Sequence, residues 1–237
     1  GTASLFQTLI SQRISPKKII YLSSQAASGP CVTDKPVKES DSPCPVSSYG
    51  NSKLQGEYEA LKFKDEFPVV IIRVGPVFGP GDKDFLILFK LMKKGILPSL
   101  GSKKTLYSLC YIKDLIKAID LSTQKNLRSG EIFHVADLNP YNWDDFGEMA
   151  EKVLGKKITT IEIPLPVIYI VALFSGFLSK IIKKPSIINR QKLKEIMQKG
   201  WVIDTQNAQA KLTFSPQFTL QQALQETFDW YIEQGWL

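Results

Sequence analysis

Short runs of apolar residues alternate along this chain with segments in which apolar residues recur every three or four positions. The runs predict buried β-strands, and the periodic segments predict helices that cover those strands. The predicted strands are residues 18–23, 68–74, 105–111 and 131–135. Because strands and helices alternate from end to end, the pattern favours an α/β protein with a parallel sheet and right-handed crossovers.

The periodic segments predict helices, several of which follow a residue that can cap them. They cover roughly residues 5–10, 48–65, 85–94, 115–122, 143–154 and 219–234. Ser47 or Ser48, Asp114 and Asn142 carry side-chain oxygens that accept hydrogen bonds from the free N–H groups of a first helical turn. The first segment is therefore expected to be helical from the start of the chain, as in a piece of a longer protein.

Two segments depart from this alternation. Residues 28–48 are rich in proline and serine and predict a long loop, and loops of this length are usually functional. Residues 163–182 are strongly apolar, but the uninterrupted part, 167–174, is too short to span a bilayer. The favoured interpretation is a buried helix that covers a lipophilic pocket, and a peripheral membrane contact through residues 163–184 remains the alternative.

Charge and composition exclude several classes of protein. The chain has 30 Lys and Arg against 23 Asp and Glu, a net charge of +7. The lysines occur in scattered pairs without an aromatic and basic stripe, so no nucleic-acid partner is expected. With three cysteines, no C-x-x-C pair and one histidine, no metal site is expected either. No signal peptide opens the chain, which predicts a cytoplasmic location, with the inner membrane surface as a variant of it.

A serine, a tyrosine and a lysine carry the candidate chemistry. Tyr49 and Lys53 lie four residues apart on a predicted helix and therefore share one face. Ser24 follows the first predicted strand, and parallel sheets bind ligands at the carboxyl ends of their strands. A free phenol is a poor base near neutral pH, but a neighbouring ammonium stabilises the phenolate. Tyr49 is therefore a candidate general acid or base, with Ser24 bonding the same substrate oxygen and Lys53 holding ribose hydroxyls.

A family resemblance runs through four segments in unbroken order and extends to the C-terminal end. The segments are KKIIYLSSQAASG at 17–29, SSYGNSKLQGEYEA at 47–60, VVIIRVGPVFGPGD at 69–82 and YIKDL at 111–115. They resemble the extended short-chain dehydrogenase/reductase family, which is the NAD-dependent epimerase/dehydratase superfamily. The resemblance covers essentially the whole chain.

The resemblance implies a fold and a set of site residues. The implied fold is a partial doubly wound, Rossmann-type parallel sheet in residues 1–140, with a smaller substrate-binding region in residues 141–237 and some interleaving. Ser24, Tyr49 and Lys53 are the implied catalytic residues, and a homodimer is the implied assembly. The implied contacts to NAD or NADP are Ser23, Tyr49, Lys53, Val74, Gly75 and Pro76, and those to substrate are Gln25, Ala26, Val77 and Phe78.

The chain departs from the family in its phosphate-binding part. The glycine-rich fingerprint that opens this fold has no counterpart. Residues 75–81 mimic it after a strand, but Pro76 and Pro80 have no N–H to offer, so this turn is not expected to hold phosphate. The resemblance therefore implies a C-terminal portion of a longer enzyme, whose preceding βα units would bind the pyrophosphate.

Further departures concern the substrate class. Gln25 and Ala26 stand where the sugar-nucleotide dehydratases of this family have carboxylates, and Tyr107 stands where sugar-nucleotide enzymes tend to have an arginine. With the apolar segment, these features resemble the 3β-hydroxysteroid dehydrogenase-like branch, which implies interconversion of a secondary alcohol and a ketone on a sterol-like or long-chain substrate. Two alternatives stay open: a sugar-nucleotide 4-epimerase, and a catalytically silent protein that senses dinucleotide or assists assembly.

Overall fold

Nine short strands build the sheets of this computed structural model, which describes residues 1–31, 35–170 and 190–237. They are β1 (Ile19–Ser24), β2 (Val69–Val74), β3 (Val77–Phe78), β4 (Ile96–Leu100), β5 (Leu106–Tyr107), β6 (Cys110–Tyr111), β7 (Glu131–Val135), β8 (Thr159–Ile163) and β9 (Gly200–Trp201). All pairings between these strands are parallel. The predicted α/β class and parallel sheet are therefore confirmed.

The central sheet has the order β1-β2-β7. All of β2 is buried, whereas β1 forms an edge of the described sheet, where the Leu22 side chain is 41 % exposed. The register pairs Ser23 with Arg73 and Arg73 with His134. Paired residues on parallel strands project to the same side of a sheet, so these three side chains form one row across one face.

Helices pack against the central sheet and against the smaller sheets. They are α1 (Thr2–Ser11), α2 (Gln25–Ser28), α3 (Ser48–Leu61), α4 (Leu86–Lys93), α5 (Ile112–Gln124), α6 (Trp143–Leu154), α7 (Arg190–Ile196) and α8 (Leu220–Glu233), with a π-helical turn at Ala208–Leu212. All six predicted helices are present. The side chains of Ser47, Asn142 and Thr219 accept N–H groups of the first turns of α3, α6 and α8, so these three helices begin where short polar residues cap them.

Aromatic side chains form the core that joins α4 to the C-terminal helix α8. The ring centroid of Phe89 lies 4.6 Å from that of Phe228 and 5.1 Å from that of Tyr231. All three side chains are buried. Since α8 ends the chain and α4 lies far before it, this packing holds the two halves of the sequence in one folded unit. The pairing of β4 with β8 adds backbone hydrogen bonds between the same two halves.

The prediction of one strand over residues 105–111 is wrong, because two short strands with different partners occupy it. β5 pairs with β9 and β6 pairs with β3. Between them, the Ser108 N–H donates to the Trp201 carbonyl at 2.8 Å, and the Leu109 carbonyl accepts the Asp137 N–H at 2.7 Å. The chain therefore changes neighbours in the middle of an apolar run, which periodicity does not reveal.

The prediction that Asp114 caps α5 is also wrong. The helix begins at Ile112, three residues earlier than predicted, and Asp114 lies within its first turn. Its carboxylate accepts the Gln217 N–H at 2.7 Å, and burial raises the pKa of Asp114 above its usual range. The Asp114 carboxylate therefore bonds a backbone N–H group that is distant in sequence and does not cap its own helix.

The long loop and the apolar segment are described in part. Residues 35–47 contain no helix or strand, but Val37 forms an isolated bridge with Ile203, which ties the loop to the C-terminal region. Residues 165–170 are helical, and the rest of the predicted helix, 171–182, lies outside the described residues. No helix in the described ranges is long and apolar enough to cross a bilayer.

Candidate active site

Ser24 ends β1 and caps the short helix α2. Its Oγ accepts the N–H of Ala26 at 3.1 Å. A hydroxyl that accepts one hydrogen bond still has its own proton to donate. The cap therefore fixes the position of the oxygen while leaving the hydroxyl proton available to a ligand at the carboxyl end of the sheet.

Tyr49 and Lys53 lie in the first half of α3. The Tyr49 side chain is 54 % exposed, and that of Lys53 is half-buried. The Lys53 Nζ lies 6.0 Å from the ring centroid of Tyr49 and 5.9 Å from that of Tyr21. The predicted proximity of ammonium and phenol on one helical face is therefore present in the structure.

Two contacts hold α3 beside Ser24. The Lys53 Nζ donates to the carbonyl of Leu22 at 3.0 Å, two residues before Ser24. Gly50 lies against the carbonyl of Ala26, two residues after Ser24, where an added Cβ would come within 2.3 Å of the oxygen. The helix thus contacts the chain on both sides of Ser24, and a glycine is needed at position 50 for this approach.

The carboxyl end of β2 lies beside these groups. Val74 and Gly75 are buried, Pro76 is exposed, and Val77 is half-buried. A Cβ at Gly75 would come within 2.0 Å of the Ser108 carbonyl, so only glycine fits there. Phe78 is buried in the aromatic core, where its ring centroid lies 5.7 Å from that of Tyr111.

The residues next to Ser24 differ in their exposure. Ala26 is half-buried, whereas Ser23 is buried and its hydroxyl donates to the carboxylate of Glu57. The Gln25 side chain is 2 % exposed, and neither atom of its amide has a hydrogen-bond partner among the described residues. A Cβ on Gly75 would lie 3.3 Å from the Gln25 Oε1, so this amide adjoins the end of β2. A buried amide without partners normally calls for a water or ligand atom nearby.

The glycines that follow β2 are used for packing. Gly79 has a φ of +151°, and a Cβ there would lie 2.4 Å from the Cγ2 of Ile112. Pro76 and Pro80 on either side have no N–H to direct at an anion. The turn therefore suits close contact with α5 and does not offer the row of N–H groups that a phosphate cradle needs.

A row of buried polar groups, which the sequence patterns did not predict, lies behind this site. Arg73 bonds Glu57 and Ser28, and Ser28 in turn bonds His134. A signal was available, because Arg73 interrupts the apolar run of residues 69–74. A charged residue in a fully buried strand requires an opposite charge nearby.

The C-terminal region reaches the beginning of α3. The Oε1 of Gln191, in α7, accepts the N–H of Ser48 at 3.0 Å. Ser48 is the first residue of α3 and immediately precedes Tyr49. α7 therefore contacts the N-terminal end of the helix that carries Tyr49. No group of three His, Cys, Asp or Glu residues in the described ranges could hold a metal ion.

We expect His134 to make the free energy of unfolding depend on pH. Burial, and then the positive charge of Arg73, lower the pKa of this histidine from 6.5 to about 4. The unfolded chain binds the proton at higher pH than the folded chain, so stability falls as the pH drops from about 6.5 to about 4. Between pH 7 and pH 4.5 this loss amounts to roughly 2–3 kcal/mol.

Urea unfolding at these two pH values, with His134→Gln as the comparison, measures this contribution. The carboxyl of Glu39, whose pKa is raised chiefly by burial, acts in the opposite direction and is present in both proteins. The variant should therefore lose less stability on acidification than the wild type. Equal losses in the two proteins would contradict the assignment.

Comparison with known proteins identifies one family. The model of the NAD dependent epimerase/dehydratase family matches residues 1–136. Among curated relatives, the chain is 29 % identical over 242 residues to the UDP-glucose 4-epimerase of Vibrio cholerae, a match that covers 98 % of this chain and 68 % of the relative. It is 27 % identical over 194 residues to the ceramide reductase of Caulobacter vibrioides, covering 81 % of this chain and 59 % of that protein.

Solved structures share the fold. The UDP-glucuronic acid 4-epimerase of Bacillus cereus, in complex with UDP-glucuronic acid and NAD, superimposes with a TM-score of 0.75 at 22 % identity. The match covers 98 % of this chain and 66 % of the epimerase. The chain thus spans between 59 % and 68 % of the lengths of these three proteins.

Proposed function

Because the chain belongs to the NAD-dependent epimerase/dehydratase family, we propose that it carries the catalytic part of an oxidoreductase that interconverts a secondary alcohol and a ketone. The observation that supports this proposal is that α3, which carries Tyr49 and Lys53, contacts the chain on both sides of Ser24 at the carboxyl end of β1. The Lys53 ammonium bonds the carbonyl of Leu22, just before Ser24, and the exposed Tyr49 lies one helical turn away on the same face of α3. A proton donor, a hydrogen-bond donor and a cation are the groups that carbonyl reduction needs from the protein, whereas the hydride would come from the cofactor.

In this mechanism, Tyr49 acts as the general acid or base. Its hydroxyl gives a proton to the ketone oxygen during reduction and takes one from the alcohol during oxidation. The Ser24 hydroxyl, held by its cap to Ala26, donates a hydrogen bond to the same oxygen. The Lys53 ammonium stabilises the phenolate that remains after proton transfer.

NAD or NADP, when bound, supplies or accepts the hydride. The residues present fit the nicotinamide and ribose end of such a cofactor. An ammonium has three donors, and Lys53 uses one of them on Leu22, so two remain for ribose hydroxyls. The amide of Gln25, which has no hydrogen-bond partner in the described ranges, lies beside Gly75 and marks a polar position at the same sheet end. The turn at Gly79 packs closely against Ile112 and offers no row of N–H groups. We therefore expect other residues to bind the pyrophosphate.

For the substrate, we propose a lipophilic molecule such as a sterol or a long-chain keto compound. Tyr107, at the position where sugar-nucleotide enzymes of the family tend to have an arginine, packs edge-on against Trp143 with centroids 5.9 Å apart. An aromatic pair offers no charge to a diphosphate. The ceramide reductase relative is consistent with a lipid substrate.

A sugar-nucleotide 4-epimerase is the second candidate. It is favoured by the similarity to the Vibrio cholerae UDP-glucose 4-epimerase, which extends over 98 % of this chain. Epimerisation would use the same serine, tyrosine and lysine, with oxidation and reduction of one carbon in a single cofactor-bound cycle.

Substrate panels distinguish these two functions. We expect the complete enzyme that contains this chain, supplied with NAD(H) or NADP(H), to turn over sterols or long-chain β-keto compounds. Net oxidation or reduction is measured by the absorbance change of the nicotinamide. Epimerisation is measured by chromatographic separation of the UDP-sugars, because 4-epimers have equal masses. Turnover of UDP-sugars alone, without net change in the cofactor, would favour the epimerase and exclude the lipophilic substrate.

A further inference from the structure

A buried ion pair joins α3 to the central sheet behind the candidate site. Arg73 in β2 and Glu57 in α3 are 2 % and 1 % exposed. The Arg73 Nη2 lies 2.7 Å from the Glu57 Oε2, and the Arg73 Nε contacts both carboxylate oxygens, at 3.0 and 3.2 Å. The hydroxyl of Ser23 donates to the same carboxylate. The carboxylate is thus held from two strands at once.

The same guanidinium also reaches α2 and the third strand. Its Nη1 donates to the Ser28 Oγ at 3.1 Å, and the Ser28 Oγ lies 2.8 Å from the Nε2 of His134. Arg73 therefore connects the three strands of the central sheet with α2 and α3. It reaches β1 through the Glu57 carboxylate and β7 through the Ser28 hydroxyl. A planar guanidinium with five donors in a fixed fork suits this purpose, whereas a lysine ammonium cannot reach all these acceptors at once.

Glu57 continues the stripe of α3 that carries the site. Tyr49, Lys53 and Glu57 follow each other at intervals of four residues, so they share one helical face. At 1.5 Å per residue, Glu57 lies about 12 Å along the helix axis from Tyr49. An anchor at this distance fixes the rotation of the helix, while Gly50 against Ala26 fixes its depth at the other end.

Stability alone is a weak reason to bury such a pair. Desolvation of two charges offsets most of their attraction, and apolar side chains of similar volume often stabilise a core equally well. Bidentate hydrogen bonds, in contrast, impose a geometry that apolar contacts do not. We infer that Arg73 and Glu57 are positioning residues, which set the rotation of α3 and so the placement of Tyr49 and Lys53 relative to Ser24. This inference rests on the proposed function only in taking those three residues as the site.

The test replaces the pair as a whole in this chain. Arg73→Met combined with Glu57→Leu removes both charges and keeps similar volumes. The matched control is Lys211→Met with Glu131→Leu, because that ion pair, at 2.7 Å, also ties a strand of the central sheet to a helical turn but lies away from α3. Thermal unfolding reports stability. The nuclear Overhauser cross-peak between the ring of Tyr21, in β1, and the side chain of Lys53, whose Nζ lies 5.9 Å from that ring centroid, reports the position of α3 on the sheet.

We expect the Arg73→Met/Glu57→Leu protein to unfold within about 4 °C of the wild type and to lose the cross-peak. The Lys211→Met/Glu131→Leu control should keep both the melting temperature of the wild type and the cross-peak. A variant that keeps the melting temperature and the cross-peak would overturn the inference, because positioning would then not need the ion pair. A variant that unfolds far below the wild type would also overturn it, because the pair would then be a determinant of stability.

Neither readout uses turnover, so failure of the proposed function is separately visible. If Tyr49→Phe leaves turnover intact in the complete enzyme, the catalytic assignment fails while the cross-peak result stands. If the Arg73→Met/Glu57→Leu protein retains the cross-peak while Tyr49→Phe abolishes turnover, the positioning role fails and the catalytic assignment stands.

Discussion

Replacing Tyr49 by phenylalanine should lower kcat by roughly two to four orders of magnitude, because the substrate oxygen loses its proton donor and acceptor. The ring remains, so the packing beside Lys53 and the start of α3 should change little. Binding of the cofactor should be nearly unaffected, since the phenol hydroxyl acts on the substrate oxygen. Steady-state kinetics of the complete enzyme, with the substrate found by the panel, give kcat, and fluorescence titration gives the Kd for NAD(H).

Tyr58→Phe is the matched control for this variant. Tyr58 lies on the same helix and is also exposed, so the change removes an identical hydroxyl outside the site. It should leave kcat unchanged. If Tyr49→Phe retained near-normal turnover, Tyr49 would not be the catalytic acid or base, whatever its distance from Lys53.

Replacing Lys53 by methionine should impair both kcat and cofactor binding. Methionine keeps an unbranched stem of similar length but removes the ammonium that bonds the Leu22 carbonyl. Loss of hydrogen bonds made by a charged group costs about 1.5–3 kcal/mol, which corresponds to a roughly 10- to 100-fold increase in the Kd for NAD(H). The phenolate would also lose its neighbouring cation, so kcat should fall as well.

The control for this variant is Lys62→Met. Lys62 lies just beyond the end of α3 and pairs with Glu59 on the surface, where a salt bridge contributes little. It should leave both constants unchanged. A Lys53→Met protein that binds NAD(H) as tightly as the wild type would refute the role of Lys53 toward the ribose, even if kcat fell.

The two substitutions therefore separate two roles within one helical turn. Tyr49→Phe tests proton transfer alone, whereas Lys53→Met tests proton transfer together with cofactor binding. Ser24 should keep its position in both variants, because the hydrogen bond that its Oγ accepts from the Ala26 N–H involves neither Tyr49 nor Lys53. A different pattern, such as loss of cofactor binding in Tyr49→Phe, would point to a structural defect in α3.

Local patterns predicted most of the elements because their causes are local. The strands β1, β2 and β7 are short, mainly apolar segments with β-branched residues, a pattern that favours strands. Asn142 and Thr219 begin α6 and α8 because their side chains bond N–H groups only three residues away. The spacing of Tyr49 and Lys53 placed them on one face for the same reason, since a helix turns once in 3.6 residues.

Other features depended on partners far away in the chain. The run at 105–111 divides because β5 and β6 pair with different strands. Asp114 gives its carboxylate to the backbone of Gln217, more than a hundred residues later. The residues around 105–111 and around Asp114 do not reveal these partners, because the hydrogen bonds to them form only when the whole domain packs.

By itself, the sequence determined the α/β class, the strands of the central sheet and the helical face that carries Tyr49 and Lys53, because hydrophobic periodicity and capping act over a few residues. Only the tertiary structure brought that face to Ser24, by close approach of Gly50 to Ala26 and by the bond from Lys53 to Leu22. It alone also paired Arg73 with Glu57, since two opposite charges sixteen residues apart meet only once a helix has packed onto the strand that follows it.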